Sequence, residues 1–485
     1  MRFAHHIAED VATAARSAQD IIQEALHKAH AVQAELNAFA TICDDEALAR
    51  ARGIDGAVAR GDTVGPLAGV PIVIKDNICT QGIRTTAGSK ILKDFVPPYG
   101  ATVVERLERA GAIVIAKANL DEFGMGSTNE HSMFGAAKNP WNKDHVPGGS
   151  SGGSAVAVAT GVVPLALGTD TGGSVRQPAA FNGILGFKPT YGRLSRYGVI
   201  AYGSSLDQVG VLARSSRDAA IAMDVMTGID GKDSTSLESP ANFAAQSAQA
   251  SLQGVRIGLI NELLGEGNSP EILAAVERSK AQLEELGAEL VDCSLPHSKY
   301  GIASYYLIAP AEASSNLARY DGMIYSTRGA ENAMGQAEAM MRSRGQGFGP
   351  EVRRRILIGS YALSAGYYDA YYGKALKVRR LIAEDFAKAF EQVDLLLAPM
   401  TPTTAPKIGE LNNDPLKMYL SDSNTVLANL VGLAALSVPA GCSSQGLPCG
   451  VQFLAPPMQD EALFRLSMAL EAALGDDFAP LAEGY

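Results

Sequence analysis

Two short apolar runs rich in β-branched residues, PIVIK (71–75) and AIVIAK (112–117), flank a segment, TVVERLERA (102–110), whose apolar positions recur at helical spacing until Gly111 stops it. Runs this short and uniformly apolar fit strands buried on both faces. A strand, helix, strand unit commits the chain to a sheet covered by helices. The pattern recurs, with a helix from about Gly153 to Thr160, a strand at VVPLAL (162–167), a new helix near Ser174, and strands at VRIGLI (255–260) and VDLLLAP (393–399). The expected class is α/β, a mostly parallel sheet with helices on both faces. Residues 7–36 carry an amphipathic helical pattern and mark an N-terminal helical segment (about 1–60). A stretch rich in Tyr, Arg and Ala (about 300–390) reads as a helical insertion or lobe. Without a repeat or a long linker, residues 1–485 are expected to form a single domain.

Composition excludes several functions. The formal charge of −11, from 41 basic and 52 acidic residues, argues against a chain that grips nucleic acid by itself, since phosphate binding relies on clustered Lys and Arg. The N-terminus lacks the apolar core of a signal peptide, and the longest apolar run, Ala155 to Leu167, is broken by Thr160, Gly161 and Pro164. A soluble cytoplasmic protein without a membrane partner is expected. Cys43, Cys79, Cys293, Cys442 and Cys449 contain no CxxC pair, and the seven histidines never form HExxH, so neither a disulfide framework nor a metal site is expected. His27 and His30 fit a solvated helix face.

The densest concentration of turn-forming residues is VPGGSSGGS (146–154). A linker would run on between folded units, whereas this stretch leads directly into AVAVATGVVPLALG. A phosphate-binding loop would need a Lys after its glycines, and none follows. Two windows, Gly148 to Gly152 and Gly149 to Gly153, satisfy GxSxG, but a Ser-His-acid triad needs a later His. The only one is His297, in the loop-like LPHSKY.

A second cluster, GTDTGGSVRQPAA, places Ser174 after two glycines at an expected helix start. The backbone N–H groups of Thr171, Gly172, Gly173 and Ser174 can converge there into an oxyanion hole. Lys75, at the end of PIVIK, is the candidate base, because burial disfavours an ammonium and frees an amine lone pair. A relay of Lys75, Ser150 and Ser174 would then perform nucleophilic catalysis. Each residue also has an ordinary explanation: a solvated strand end, a turn former and a helix cap. Cys79 reads as a small buried side chain.

Taken together, GGSSGGSAVAVATGVVPLALGTDTGGSVRQPAAFNGILGFKPTYG (148–192) and the earlier Lys closely resemble the amidase signature family. That resemblance implies a large mixed sheet between helices. It also implies a triad with Ser174 as nucleophile, Ser150 as proton-relaying serine in a cis peptide, and Lys75 as base. Asp170 and Arg176 would brace the nucleophile's loop. EASSNLARYDG (312–322), GPEVRRRILIGSYALSAGYYDAYY (349–372) and DPLKMYLSD (414–422) resemble the branch of the family that serves tRNA-dependent amidotransferases as their glutamine-hydrolysing subunit. The branch implies that Arg355, Asp422 and Tyr306 hold glutamine, with Arg353, Arg354 and Tyr305 as adjacent alternatives. It implies no cofactor in this chain. It further implies two other subunits in a heterotrimer, ammonia passed to a partner that uses ATP and Mg²⁺, and a mischarged aminoacyl-tRNA held mainly by that partner. The alternatives are a free-standing amidase acting on another amide, and a nucleotide-binding or scaffolding protein without chemistry.

Overall fold

Eleven strands pair into one sheet: β1 (Phe39–Ile42), β2 (Pro71–Lys75), β3 (Ile113–Ala118), β4 (Leu165–Asp170), β5 (Leu185–Lys188), β6 (Gln208–Ala213), β7 (Arg256–Ile260), β8 (Glu289–Cys293), β9 (Leu395–Pro399), β10 (Ala434–Cys442) and β11 (Pro448–Ala455). Their order is β1-β3-β2-β4-β6-β5-β10-β11-β9-β7-β8. The computed structural model describes residues 2–247, 251–325, 333, 335–412, 414–482 and 484.

The large mixed sheet is present, but the expected dominance of parallel pairing is not. Parallel ladders join β2 to β3 and β4, and β7 to β8 and β9. Antiparallel ladders run through the centre, from β4 through β6, β5, β10 and β11 to β9, and add β1 at one edge. The physical reason lies in strand type. The fully apolar runs that announce themselves in sequence are the parallel strands, whereas β10 and β11 carry Pro439, Gly441, Pro448 and Gly450 and join as a hairpin.

Side-chain alternation divides the interior into two cores. Leu395 and Leu397 of β9, with Leu436 of β10 and Phe453 of β11, point into one. Leu396 and Ala398, with Ala435 and Leu454, point into the other. The first core is closed by the N-terminal helices Ala4–Ala12 and Ala18–Leu36 and by the C-terminal helix Asp460–Leu474. The second is closed by Gly301–Asn316, Pro350–Ala362 and Lys374–Phe390. Those three helices, together with Gln336–Gly347, fall within the stretch 300–390 that the sequence reads as helical; residues 326–332 and 334 lie outside the described residues. The strand and helix expectations around Lys75 and Ser150 hold to within a few residues: Thr102–Arg109 and Gly152–Ala159 are the helices. The helix after the second Gly-rich cluster starts at Arg176, two residues beyond Ser174.

Candidate active site

Lys75 ends β2 and is wholly buried. Its Nζ lies 2.8 Å from Ser150 Oγ, 2.8 Å from Ser151 Oγ, 3.0 Å from Thr169 Oγ1 and 3.3 Å from the Thr169 carbonyl. Four oxygens therefore surround one nitrogen. An ammonium has three hydrogens to share among them, whereas a neutral amine donates two and accepts one. Burial pushes the Lys75 pKa down to about 7, against the raising influence of Asp121, Asp170 and Asp207.

The two Gly-rich segments meet at this lysine. Ser151 N–H donates to the Ser174 carbonyl at 3.2 Å, and the Gly149–Ser150 peptide is cis. Glycine is required at 149, where an added Cβ would collide with Asp121 Oδ2. At Gly173, with φ +128°, an added Cβ would sit 2.5 Å from Thr425 Oγ1. Gln177 ties the segments further, accepting from Gly149 N–H at 2.9 Å and donating to the Ser127 carbonyl at 2.8 Å.

Asp170 and Arg176 brace the loop, as the resemblance implies. Asp170 accepts from the amides of Gly173 (2.8 Å) and Val175 (3.1 Å) and from Arg176 Nε (3.1 Å). Burial alone would raise the Asp170 carboxyl, but the charge and hydrogen bonds of Arg176 hold it far below the usual carboxylate range. One expectation changes here. The Gly173 amide is committed to Asp170 and is not a free oxyanion donor. The amides of Thr171, Gly172 and Ser174 meet no protein acceptor among the described residues, and Ser174 itself is half-buried.

The second half of the site comes from the helices Gly301–Asn316 and Pro350–Ala362 together with Ser127 and Asp422. Tyr306 OH donates to Asp422 Oδ2 at 2.7 Å, and Ser127 Oγ donates to both oxygens of the same carboxylate. Burial pushes Asp422 up to about 6 although both of these bonds favour its charged form. Arg355 is buried with its Cζ 5.3 Å from the Tyr306 ring centre, while Arg353 and Arg354 face outward. Tyr305 and Tyr306 both belong to the site: a Cβ on Gly172 would lie 2.5 Å from Tyr305 Cζ. Thr425 links the halves by donating to the carbonyls of Gly172 and Asp422. His297 is instead bonded to Asp385 at 3.0 Å. Among the described residues no group of three or more His, Cys, Asp or Glu is placed to hold a metal ion, and no helix is long and apolar enough to cross a membrane.

Comparison with known proteins bears on this geometry. The sequence profile of the amidase family matches residues 20–464. The chain belongs to the amidase family. Within the family it is 55% identical over 456 residues, 94% of each chain, to a glutamyl-tRNA(Gln) amidotransferase subunit of Thermosynechococcus vestitus. The crystal structure of the equally named subunit from Thermotoga maritima superposes with a TM-score of 0.81 at 40% identity, covering 96% of this chain and 94% of that one. A bacterial aryl acylamidase superposes with a TM-score of 0.85 at 26% identity, covering 97% and 96%. The amidase fold thus accommodates different substrates.

Sequence reasoning missed several residues of this amidase site. Ser151 sits beside Ser150 in the same run and was open to the same reading. Asp121 and Ser127 belong to no quoted motif, and Glu351 and Tyr419 lie inside the 349–372 and 414–422 stretches without being singled out there; only the fold brings the four to the site.

Proposed function

We propose that this chain is the glutamine-hydrolysing subunit of a cytoplasmic tRNA-dependent amidotransferase. The observation that carries the reading is the pairing, beside the Gly-rich loops, of a buried guanidinium at Arg355 with a buried carboxylate at Asp422. That pair complements the α-carboxylate and α-ammonium of an amino acid. The 55% identity to an amidotransferase subunit supports the same conclusion.

In this reading Ser174 Oγ attacks the carbonyl carbon of the glutamine side-chain amide. Its proton passes to Ser150 Oγ, whose own proton passes to the neutral amine of Lys75. The amides of Thr171, Gly172 and Ser174 hold the oxyanion. The relay returns a proton to the departing nitrogen, ammonia leaves, and water releases glutamate from the ester. Ammonia then serves a partner subunit of a heterotrimer, where ATP and Mg²⁺ activate Glu-tRNA(Gln), Asp-tRNA(Asn) or both. The net charge of −11 accords with a tRNA grip supplied mainly by that partner.

In the assembled complex, Ser174→Ala should abolish glutamine-dependent amidation and leave ammonium-dependent amidation in place. Persistence of the glutamine-dependent reaction would overturn the assignment. The likeness to an aryl acylamidase favours a second reading, a free-standing hydrolase of another amide. Turnover of a panel of amides with glutamine inert would select it.

A further inference from the structure

Arg355 is held at almost every point except one. Its Nε donates to Glu351 Oε1 at 2.7 Å and its Nη1 to Tyr202 OH at 2.6 Å. The rings of Tyr306 and Tyr419 each lie 5.3 Å from its Cζ, and that of Tyr202 lies 5.7 Å away. Nη2 alone is buried with no partner among the described residues. A buried, charged donor left unpaired is costly, so its persistence marks the place of an acceptor that arrives from outside.

Glu351 is what sets this orientation. It stands one turn before Arg355 on the helix Pro350–Ala362, and the two side chains are 1% and 2% exposed. An i,i+4 pair on a helix surface adds little. Burying one is expensive, and an apolar pair of the same size would often stabilise the fold as well or better. Stability therefore does not account for a pair that leaves one donor idle. Tyr419 OH donates to the same Oε1 at 3.0 Å, and Arg354 caps the other oxygen, so the carboxylate has no freedom to turn. Tyr419 in turn stacks on Tyr306, with ring centres 4.0 Å apart, and Tyr306 carries Asp422.

We propose that Glu351, supported by Tyr419, is a positioning residue that aims Nη2 of Arg355 at the substrate's α-carboxylate and so makes the site selective for an α-amino acid amide. The inference rests on the glutamine reading above.

The test compares glutamine with 4-aminobutanamide, which keeps the ammonium and the scissile amide and lacks only the α-carboxylate. In Glu351→Gln, the ratio of kcat/KM for glutamine to that for 4-aminobutanamide should fall about tenfold to a hundredfold, the worth of one charge-assisted hydrogen bond. The change should reside in the KM for glutamine. Tyr419→Phe, a milder change that keeps the ring stack, should move the ratio in the same direction by less. A parallel loss on both substrates, or an unchanged ratio in both variants, would overturn the positioning role. Failure of the unsubstituted enzyme to favour glutamine would instead strike the glutamine reading itself.

Discussion

A lysine serves as a base at neutral pH only where something disfavours its proton, and at Lys75 that agent is burial among hydroxyls. Because its pKa is lowered to about 7, kcat/KM for glutamine should climb as pH rises through about 7, where the amine becomes free to accept. Lys75→Arg keeps a permanent charge and should be inactive at every pH tested. Asp422 contributes a separate limb: raised to about 6, it is ionised above that value and neutral below. The KM for glutamine should therefore rise as pH falls through about 6, and Asp422→Asn should be weak throughout and lack that limb. Initial rates across pH 5 to 9 check both. At this scale Ser150 and Ser174 stand out in the sequence because each lies in a dense Gly-rich run, and Lys75 because it closes an apolar strand; the fold brings Lys75 Nζ to 2.8 Å from Ser150 Oγ. The choice among Arg353, Arg354 and Arg355 was not. It depends on how the helix Pro350–Ala362 is turned against Tyr202 and Tyr306, a property of packing that consecutive identical residues conceal.

The elements that hold these groups are short and closely approached by backbone. Gly172→Ala would drive a methyl to within 2.5 Å of Tyr305, overpacking worth about 1–3 kcal/mol. Its signature should be disproportion: a modest drop in thermal midpoint with glutaminase activity reduced at least a hundredfold, since the displaced amide is one of the proposed oxyanion donors. Equal activity of the variant and the parent at 25 °C would contradict that role for the loop. Ser151→Ala removes one of four oxygens around Lys75 and should lower activity less than Ser150→Ala, which removes the proposed relay hydroxyl. Strands β2, β3, β4, β7 and β9 were readable as apolar runs. Strands β5, β6, β10 and β11 were not, because interruptions by Pro and Gly and lengths down to four residues give periodicity too little to work on.

Across the whole molecule, one buried ionic cluster joins the C-terminal helix to the segment after β5. Arg193 pairs with Asp460 at 3.2 Å and with Glu461, and Thr190 holds Asp460 from the other side at 2.6 and 2.8 Å. Arg193→Met strands a buried carboxylate and should destabilise the fold by about 3–5 kcal/mol, measured by urea denaturation. A change under 1 kcal/mol would show the cluster to be dispensable. The acidic residues of the pair also begin the helix Asp460–Leu474, where they favour its N-terminal dipole.

The sheet order carries a consequence for how the chain is made. Residues 39–213 supply one contiguous run, β1-β3-β2-β4-β6-β5, and residues 256–399 supply another, β9-β7-β8. The hairpin β10–β11 slots between them and follows both in sequence. A nascent chain stopped before residue 434 should thus present two unjoined sheet fragments with β5 and β9 as open edges, prone to stray pairing and to proteolysis. Limited digestion of ribosome-bound chains of increasing length would reveal protection arriving only once residue 455 has emerged. The earlier fragment bears Lys75, Ser150 and Ser174, and the later one bears Tyr306 and Arg355. Until β10 and β11 have joined the two fragments, the proposed nucleophile and the proposed substrate-recognising groups belong to separate pieces, and such a chain should be inert.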